Sequence, residues 1–412
     1  MRNKLKIGLF GFGCVGSGLY EVLNQSNLLN ASIERIVVKD PNKTRSIPEA
    51  NFYYDKNIIL NNPDINVVVE LIDDVEAAYD IVTTAFKKGK HVVSANKKLI
   101  AEHLDELLDL KDQYGVSFLY EASSCASIPV IRNLEEYYNN DSLTGIEGIC
   151  NGTTNYILTR LNNELKSFDE ILKDAQEAGF AETDPTLDID GFDSKYKLQI
   201  LILHTFGLKA LPEEVLNIGI RNIKTKDILF AKEKGLKLRL ISFAKKFEDK
   251  VVSYVAPVFV NDESFAFDVN YEFNAVSIEA LFSDKQLFTG KGAGSFPTAS
   301  AVLSDISALQ YNYQYEYKKL QDAKLTLADD FELKAFVSSR NPESLDKLKF
   351  NSIEEAYSSA DYSYRVGRLN VKQITHELYR EHPELFIAFY EEGRISLDRL
   401  GTEKQDKELI SI

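Results

Sequence analysis

Through the first 150 residues, short apolar runs alternate with amphipathic segments of helical period. The apolar or β-branched runs are Leu5 to Phe10, Ile33 to Val38, Ile65 to Ile72, His91 to Ser94 and Val116 to Tyr120. Between them, Val15 to Leu23, residues 75–88 and residues 100–114 carry the helical pattern, the last with Leu104, Leu107 and Leu108 on one face. Regular βαβ alternation predicts a parallel sheet covered on both sides, an α/β fold.

From about residue 140 the pattern changes. Leu143 to Cys150 reads as a strand and Tyr156 to Leu161 as a helix. Ser167-Phe168-Asp169-Glu170 is a capping-box signature, opening a helix that Gly179 closes. Helices are predicted at 192–206 and 236–246, then strands from Val251 to Val260 and Tyr271 to Val276. A glycine-rich turn at 290–294 leads into a helix from about 298. Beyond 321, Leu333 to Ser338 and Tyr362 to Val371 read as strands, with helices at 352–359 and 373–391. The polar tail Gly401 to Glu408 is expected to fray. The predicted division is therefore 1–135, 136–320 and a small α+β module over 321–412, with the helix at 298–318 returning to the first unit.

The 412 residues fit two or three domains. A formal charge of −15 argues against nucleic acid and against anionic membrane surfaces as partners. The chain has neither a run of about 18 apolar residues nor a signal-peptide h-region after Met1-Arg2-Asn3-Lys4. Cys14, Cys125 and Cys150 make no disulfide framework and no CxxC pair, and the five histidines lack metal-site spacing. A cytoplasmic protein without a transition metal is expected.

Gly11-Phe12-Gly13-Cys14-Val15-Gly16 follows the first strand and opens the first helix. In that context a GxGxxG is a dinucleotide-binding turn of Rossmann type. Gly11 permits the tight turn, Gly13 lets a pyrophosphate approach the main chain, and Gly16 lets helix and strand pack closely. The N–H groups of the helix start, at Cys14 and Val15, face the phosphates. At the end of the second strand, Asp40 would hold the ribose hydroxyls of NAD, whereas Lys39 with Lys43 or Arg45 leans towards the 2′-phosphate of NADP.

Asn96 and Lys97 stand just past a strand, at the carboxyl edge where open parallel sheets bind ligands. Lys97 is thus a candidate proton donor or acceptor beside the nicotinamide. Residues 182–193 hold five carboxylates. A calcium loop fails there, because Thr186 would stand first and Lys197 would close it. Asp193 and Lys197 are i,i+4 on a helix that continues as Leu198, Ile200, Leu201, Ile202 and Leu203. A lysine buried there keeps its charge only beside carboxylates; otherwise its pKa falls towards neutrality and it carries protons. Such carboxylates also suit the ammonium group of an amino-acid substrate.

In order, the glycine turn, Ala95-Asn96-Lys97-Lys98, Asn151-Gly152-Thr153-Thr154-Asn155-Tyr156, the Glu182 to Lys197 segment and Gly290-Lys291-Gly292-Ala293-Gly294 resemble homoserine dehydrogenase. The resemblance implies NAD(P)-dependent interconversion of L-homoserine and L-aspartate 4-semialdehyde. It also implies a mixed α/β catalytic and dimerisation domain, and a homodimer. By position, Lys97 and Lys197 would be the catalytic lysines. Glu182, Asp188 and Asp193 would hold the substrate, Gly152 and Thr153 would lie near substrate and nicotinamide, and Gly292 near the cofactor. Glu121, with main-chain carbonyls of Ser124, Ala126 and Ile128, matches a site for a monovalent cation, Na or K. The chain departs from the family at Glu70-Leu71-Ile72-Asp73-Asp74, where two glycines are usual, and at Ser123-Ser124-Cys125-Ala126-Ser127. Rival readings are another dehydrogenase of the same glycine-turn class, or a nucleotide-responsive sensor without catalysis. Too few elements are expected after 321 for a complete amino-acid-binding ACT module.

Overall fold

The computed structural model describes residues 4–25, 29–321 and 325–391; the expected frayed tail at 401–408 lies outside the described residues. The first unit holds strands β1 (Leu5–Phe10), β2 (Ala31–Val37), β3 (Phe52–Tyr53), β4 (Val67–Glu70), β5 (His91–Ser94) and β6 (Phe118–Leu119). Helices α1 (Cys14–Gln25), α2 (Asn57–Leu60), α3 (Val75–Lys87) and α4 (Lys97–Tyr114) connect them. All six strands are parallel, in the order β3-β2-β1-β4-β5-β6. This is the doubly wound order, whose ligand crevice opens where the winding reverses, between β1 and β4. Because helices cover both faces, Ile7, Leu9, Val67 to Val69, Val92 and Val93 are all fully buried.

The chain leaves this sheet through α5 (Val130–Glu135) and enters a mixed unit. That unit comprises β7 (Leu143–Ile149), α6 (Gly152–Asn163), α7 (Phe168–Glu177), α8 (Thr186–Ile189), α9 (Phe192–Phe206), β8 (Leu216–Asn217) and α10 (Thr225–Glu233). Strands β9 (Lys237–Phe247), β10 (Lys250–Val260), β11 (Phe273–Ala280) and β12 (Asp284–Lys291) follow. Helix α11 (Ser295–Leu309) then returns to pack on α1, burying Ala299, Val302 and Ile306 in the same core as β1 and β4.

Past the short α12 (Lys318–Gln321) and β13 (Thr326–Leu327) come β14 (Glu332–Ser339), α13 (Pro342–Leu345), β15 (Phe350–Ser358), β16 (Ser363–Asn370), α14 (His376–Glu381) and β17 (Phe386–Tyr390). From β14 on, these six elements form a complete βαββαβ unit with strands ordered β17-β14-β16-β15, correcting the expectation of too few elements. The unit has no sheet of its own. β17 pairs with β10, so the strands run on as β12-β11-β7-β9-β10-β17-β14-β16-β15.

Three predicted helices are wrong, each for a physical reason. Residues 236–246 form β9. Leu238, Leu240 and Ala244 enter one core and Ile241 and Phe243 another, so burial on both faces erases the period of two. Residues 352–359 belong to β15, an edge strand with mostly exposed side chains, where pairing with β16 overrides the helix propensity of Glu354-Glu355-Ala356. The predicted helix at 373–391 is only α14; Pro383 follows it, and Phe386–Tyr390 pairs with β14.

Candidate active site

The glycine turn sits at the β1–β4 switch point, between strand β1 and helix α1. Gly11 has φ +92°, and a Cβ there would fall 2.4 Å from the Leu71 carbonyl oxygen. At Gly13 a Cβ would meet nothing within 4 Å: the space above it is open. A Cβ at Gly16 would fall 2.4 Å from the Gly11 carbonyl oxygen, so this helix and turn pack to contact. Cys14 is exposed and Val15 half-buried at the start of α1. Gly11, Gly13, Lys39, Asp40, Asp73 and Asp74 line a cleft of about 830 Å³, which Lys43 and Arg45 also border. Asp74, one of the two departures from glycine, caps α3 by accepting from Ala77 N at 3.1 Å. Lys39 Nζ lies 3.5 Å from its other oxygen.

At the ends of β4 and β5 a buried circuit places Lys97. Glu70 accepts from Ile72 N at 2.8 Å and from Ser94 Oγ at 2.6 Å. Ser94 Oγ accepts from Asn96 N at 3.0 Å, and Asn96 Nδ2 donates to the Ile72 carbonyl at 3.1 Å. Asn96 Oδ1 caps α4 by accepting from Leu99 N, which makes Lys97 the first residue of that helix. Burial pushes the Glu70 carboxyl up to about 7. Sequence reading noted Glu70 only as the start of a departure; the overlooked signal is an acid ending an otherwise apolar strand.

Lys97 and the substrate-side acids meet across the domain junction. Asp193 takes Lys97 Nζ on one carboxylate oxygen at 2.5 Å and Lys197 Nζ on the other at 2.8 Å. Lys197 also donates to the Cys150 carbonyl at 2.7 Å. Asn151 Nδ2 donates to Asp188 at 2.6 Å and to Asp193 at 2.8 Å, while its Oδ1 caps α6 through Thr154 N. The Lys97 side chain is 38% exposed against 8% for Lys197, so only Lys97 has ready contact with solvent. A cation at a helix N-terminus opposes the helix dipole, and Asp193 offsets that cost.

Burial works against charge on Asp193, but Lys197 and Lys97 outweigh it and hold its carboxyl well below the usual carboxylate range. Burial likewise opposes charge on Lys197, yet Asp193 outweighs it and holds the ammonium above the usual lysine range. Lys197 is therefore not poised near neutral pKa: it stays charged, a hydrogen-bond donor. Burial, with Asp193 adding to it, raises the Asp188 carboxyl. Asn151 was not singled out from the sequence, although its place between a strand and Gly152 is an N-cap signal. Nor was the meeting of Cys125 and Cys150, two buried free thiols beside Lys197.

The remaining candidates scatter around this cluster. Gly152 opens α6, where a Cβ would fall 2.9 Å from the Glu272 carbonyl oxygen, and Thr153 Oγ1 donates to the Phe180 carbonyl at 2.8 Å. Glu182 is exposed; among the described residues its carboxylate makes no hydrogen bond or ion pair with the cluster, and its carbonyl accepts from Gln176. Gly292 presses on the Asn274 side chain, a buried amide with neither atom hydrogen-bonded among the described residues. Glu121 spends both oxygens on the start of α5, accepting from Ile131 N at 2.9 Å and Arg132 N at 2.8 Å. Ser124, Ala126 and Ile128 follow on the same buried loop, with Ala126 at φ +45°.

A glycine turn at a doubly wound switch point, with a lysine of the same unit clasped to an acid–lysine pair on a second domain, defines a nicotinamide-dinucleotide oxidoreductase. Residues 11–121 match the family described as homoserine dehydrogenase, NAD binding domain, and residues 129–307 match homoserine dehydrogenase. Homoserine dehydrogenase of Bacillus subtilis is 37% identical over 317 residues, covering 75% of this chain and 73% of that one. The Helicobacter pylori enzyme is 37% identical over 313 residues, 74% of each chain. Among solved structures, homoserine dehydrogenase of Thiobacillus denitrificans superposes with a TM-score of 0.82 at 26% identity, covering 94% of this chain and 98% of that one. The chain belongs to the homoserine dehydrogenase family.

Proposed function

We propose that the protein interconverts L-homoserine and L-aspartate 4-semialdehyde with NAD(P), on the biosynthetic route to threonine, methionine and isoleucine. The observation that carries this reading is the Lys97–Asp193–Lys197 bridge, which joins the nucleotide unit to the substrate unit. When bound, the dinucleotide supplies or accepts the hydride at the substrate carbon. The protein then has one proton to manage, at the substrate oxygen. Lys197 has three N–H donors, two of them engaged by Asp193 and the Cys150 carbonyl, so one remains for that oxygen. Lys97, half open to solvent, polarises the same oxygen and relays the proton outwards. Asp188 and Asp193, oriented by Asn151, receive the substrate ammonium, and Glu182 joins them only if its exposed side chain swings inwards.

The residues fit the dinucleotide. Open space over Gly13 leaves room for a pyrophosphate against the N–H groups of α1, and the unpartnered Asn274 amide beside Gly292 has hydrogen bonds to give. Lys39, Lys43 and Arg45 border the ribose end of the cleft and favour NADP over NAD. A monovalent cation also fits. Glu121 and Asp305 are both buried, Arg132 pairs with Asp305 at 2.8 Å, and burial with the Asp305 charge pushes the Glu121 carboxyl up to about 8, so a cation bound there would favour its ionised form. Glu121 with the carbonyls of Ser124, Ala126 and Ile128 offers an oxygen-only donor set for Na or K.

The division of labour follows: residues 1–135 with α11 bind nucleotide, 136–320 hold the substrate, and the unit beyond 321 adjusts it. A homodimer is supported by the exposed Leu281, Phe282 and Leu287 on the β11–β12 hairpin. Free thiols at Cys125 and Cys150 suit the reducing cytoplasm, and among the described residues no helix is long and apolar enough to cross a membrane. Homoserine-dependent reduction of NADP or NAD tests the reading directly. Lys197→Ala should lower turnover on the order of a thousandfold while dinucleotide affinity holds. Near-normal turnover in that variant would overturn the assignment.

A further inference from the structure

Behind the substrate turn, residues 216–227 form a strap whose two ends grip different parts of the molecule. At the near end, Ile220 N donates to the Ile189 carbonyl at 2.7 Å, and Asn217 Nδ2 to the Asp190 carbonyl at 2.8 Å. Gly219 lies so close that a Cβ there would fall 2.4 Å from the Ile189 carbonyl oxygen. Arg221 completes the grip, its Nε and Nη2 on the two oxygens of Asp190 at 2.9 and 2.8 Å. These contacts hold α8 and its exit, the turn that carries Asp188 and runs through Gly191 into Asp193.

At the far end the strap is tied to the βαββαβ unit. Asn222 Nδ2 donates to the Leu385 carbonyl at 2.9 Å, and Lys224 Nζ to the Glu384 carbonyl at 2.9 Å. Asp227 accepts from Tyr362 Oη at 2.7 Å and from Lys224 N at 2.8 Å. Between the ends lies a groove of about 290 Å³, lined by Arg221 on the strap and by Tyr379 and Pro383 on the βαββαβ unit. Buried strap residues pack beside these bonds, Ile220 in one core with Ile189 and Phe386, and Ile218 in another with Leu385 and Ile387.

We propose that Arg221 is a positioning residue for the substrate turn, and that the strap passes the placement of the βαββαβ unit on to Asp188. This rests on the reading of Asp188 and Asp193 as the substrate site. A planar guanidinium on both oxygens of a carboxylate fixes orientation as well as charge, which a point charge does not. Adjacent residues Arg221 and Asn222 face opposite ways, so a shift at Leu385 moves Asp190 through one peptide link. The consequence belongs to substrate binding and not to hydride transfer.

The test is steady-state kinetics on the full chain. Arg221→Ala should raise the homoserine KM about tenfold, with kcat and the NADP KM within about twofold of the parent. Arg221→Lys should recover part of that loss, because the charge returns without the fork. Asn222→Ala, which removes the hydrogen bond to Leu385, should raise the homoserine KM by a smaller factor. The double variant should be no worse than Arg221→Ala, since both act through one strap. An unchanged homoserine KM in Arg221→Ala, a loss confined to kcat, or full additivity of the two substitutions would each overturn the proposal. Failure of the parent protein to oxidise homoserine at all would instead remove the underlying assignment of the substrate site.

Discussion

The glycine turn proposed to hold the nucleotide is made from main chain, and the cluster proposed to hold the substrate from side chains. At Gly11, Gly13 and Gly16 recognition depends on what is missing: each lost Cβ admits a turn, a ligand or a neighbouring carbonyl. At Asp193 it depends on what is present, a buried carboxylate shared by two ammonium groups from different domains. The main-chain end tolerates charge nearby, so Asp74 can replace a glycine and be absorbed by a helix cap and Lys39. The side-chain end has no such slack, because an unpaired charge in the interior costs about 3–5 kcal/mol.

That contrast predicts where substitutions will act. Asp193→Asn strips Lys197 of its counter-charge and should cut kcat on the order of a thousandfold, with bound-NADPH fluorescence titrations little changed. An equal loss of cofactor affinity would show that the two ends are not separable. Gly13→Ala should do the reverse. The space there is open, so thermal stability should hold while dinucleotide KM rises by roughly tenfold or more. A variant with unaltered cofactor KM would place the pyrophosphate elsewhere.

Glu70 sharpens the comparison, since it is a buried side chain within the main-chain end. Its carboxyl is raised to about 7 by burial, with Asp73 the nearby like charge and Ser94 and Ile72 the hydrogen-bond partners. The folded state therefore holds this proton more tightly than the unfolded chain. Its stabilising contribution is full below the unfolded value near 4.5 and is lost as pH rises through about 7. Thermal stability should fall across that window by up to about 3 kcal/mol, and Glu70→Gln should flatten the profile. Matching profiles for parent and variant would mean that Glu70 does not titrate there. The smallest effect is expected at Lys39→Ala, about a threefold rise in NADP KM with NAD unaffected, because this exposed amine already shares Asp74. Parallel changes for both cofactors would remove Lys39 from the 2′-phosphate.

How much was legible in the chain depended on range. The glycine turn and the Asp193–Lys197 pair each lie within one helical start or one helical turn, so spacing alone exposes them. The circuit of Glu70, Ser94 and Asn96 joins neighbouring strands, and the clasp of Lys97 on Asp193 joins two domains; no local period encodes either. Strand β9 misled because both of its faces are buried, and β15 because its partner strand overruled its own residues.

Local chemistry in the chain thus settled the class of fold, the phosphate turn and the kinds of residue available for proton transfer. Only the packed molecule decided which of them meet. Folding put Lys197 in a low-dielectric interior against Asp193, and that pairing, outweighing the burial, keeps it a charged donor instead of a titrating base. Folding also joined the last four described strands to the catalytic sheet and tied them to the substrate turn. The physical reason is that burial and charge pairing are properties of three-dimensional neighbours, whereas backbone geometry and helical spacing are properties of adjacent residues.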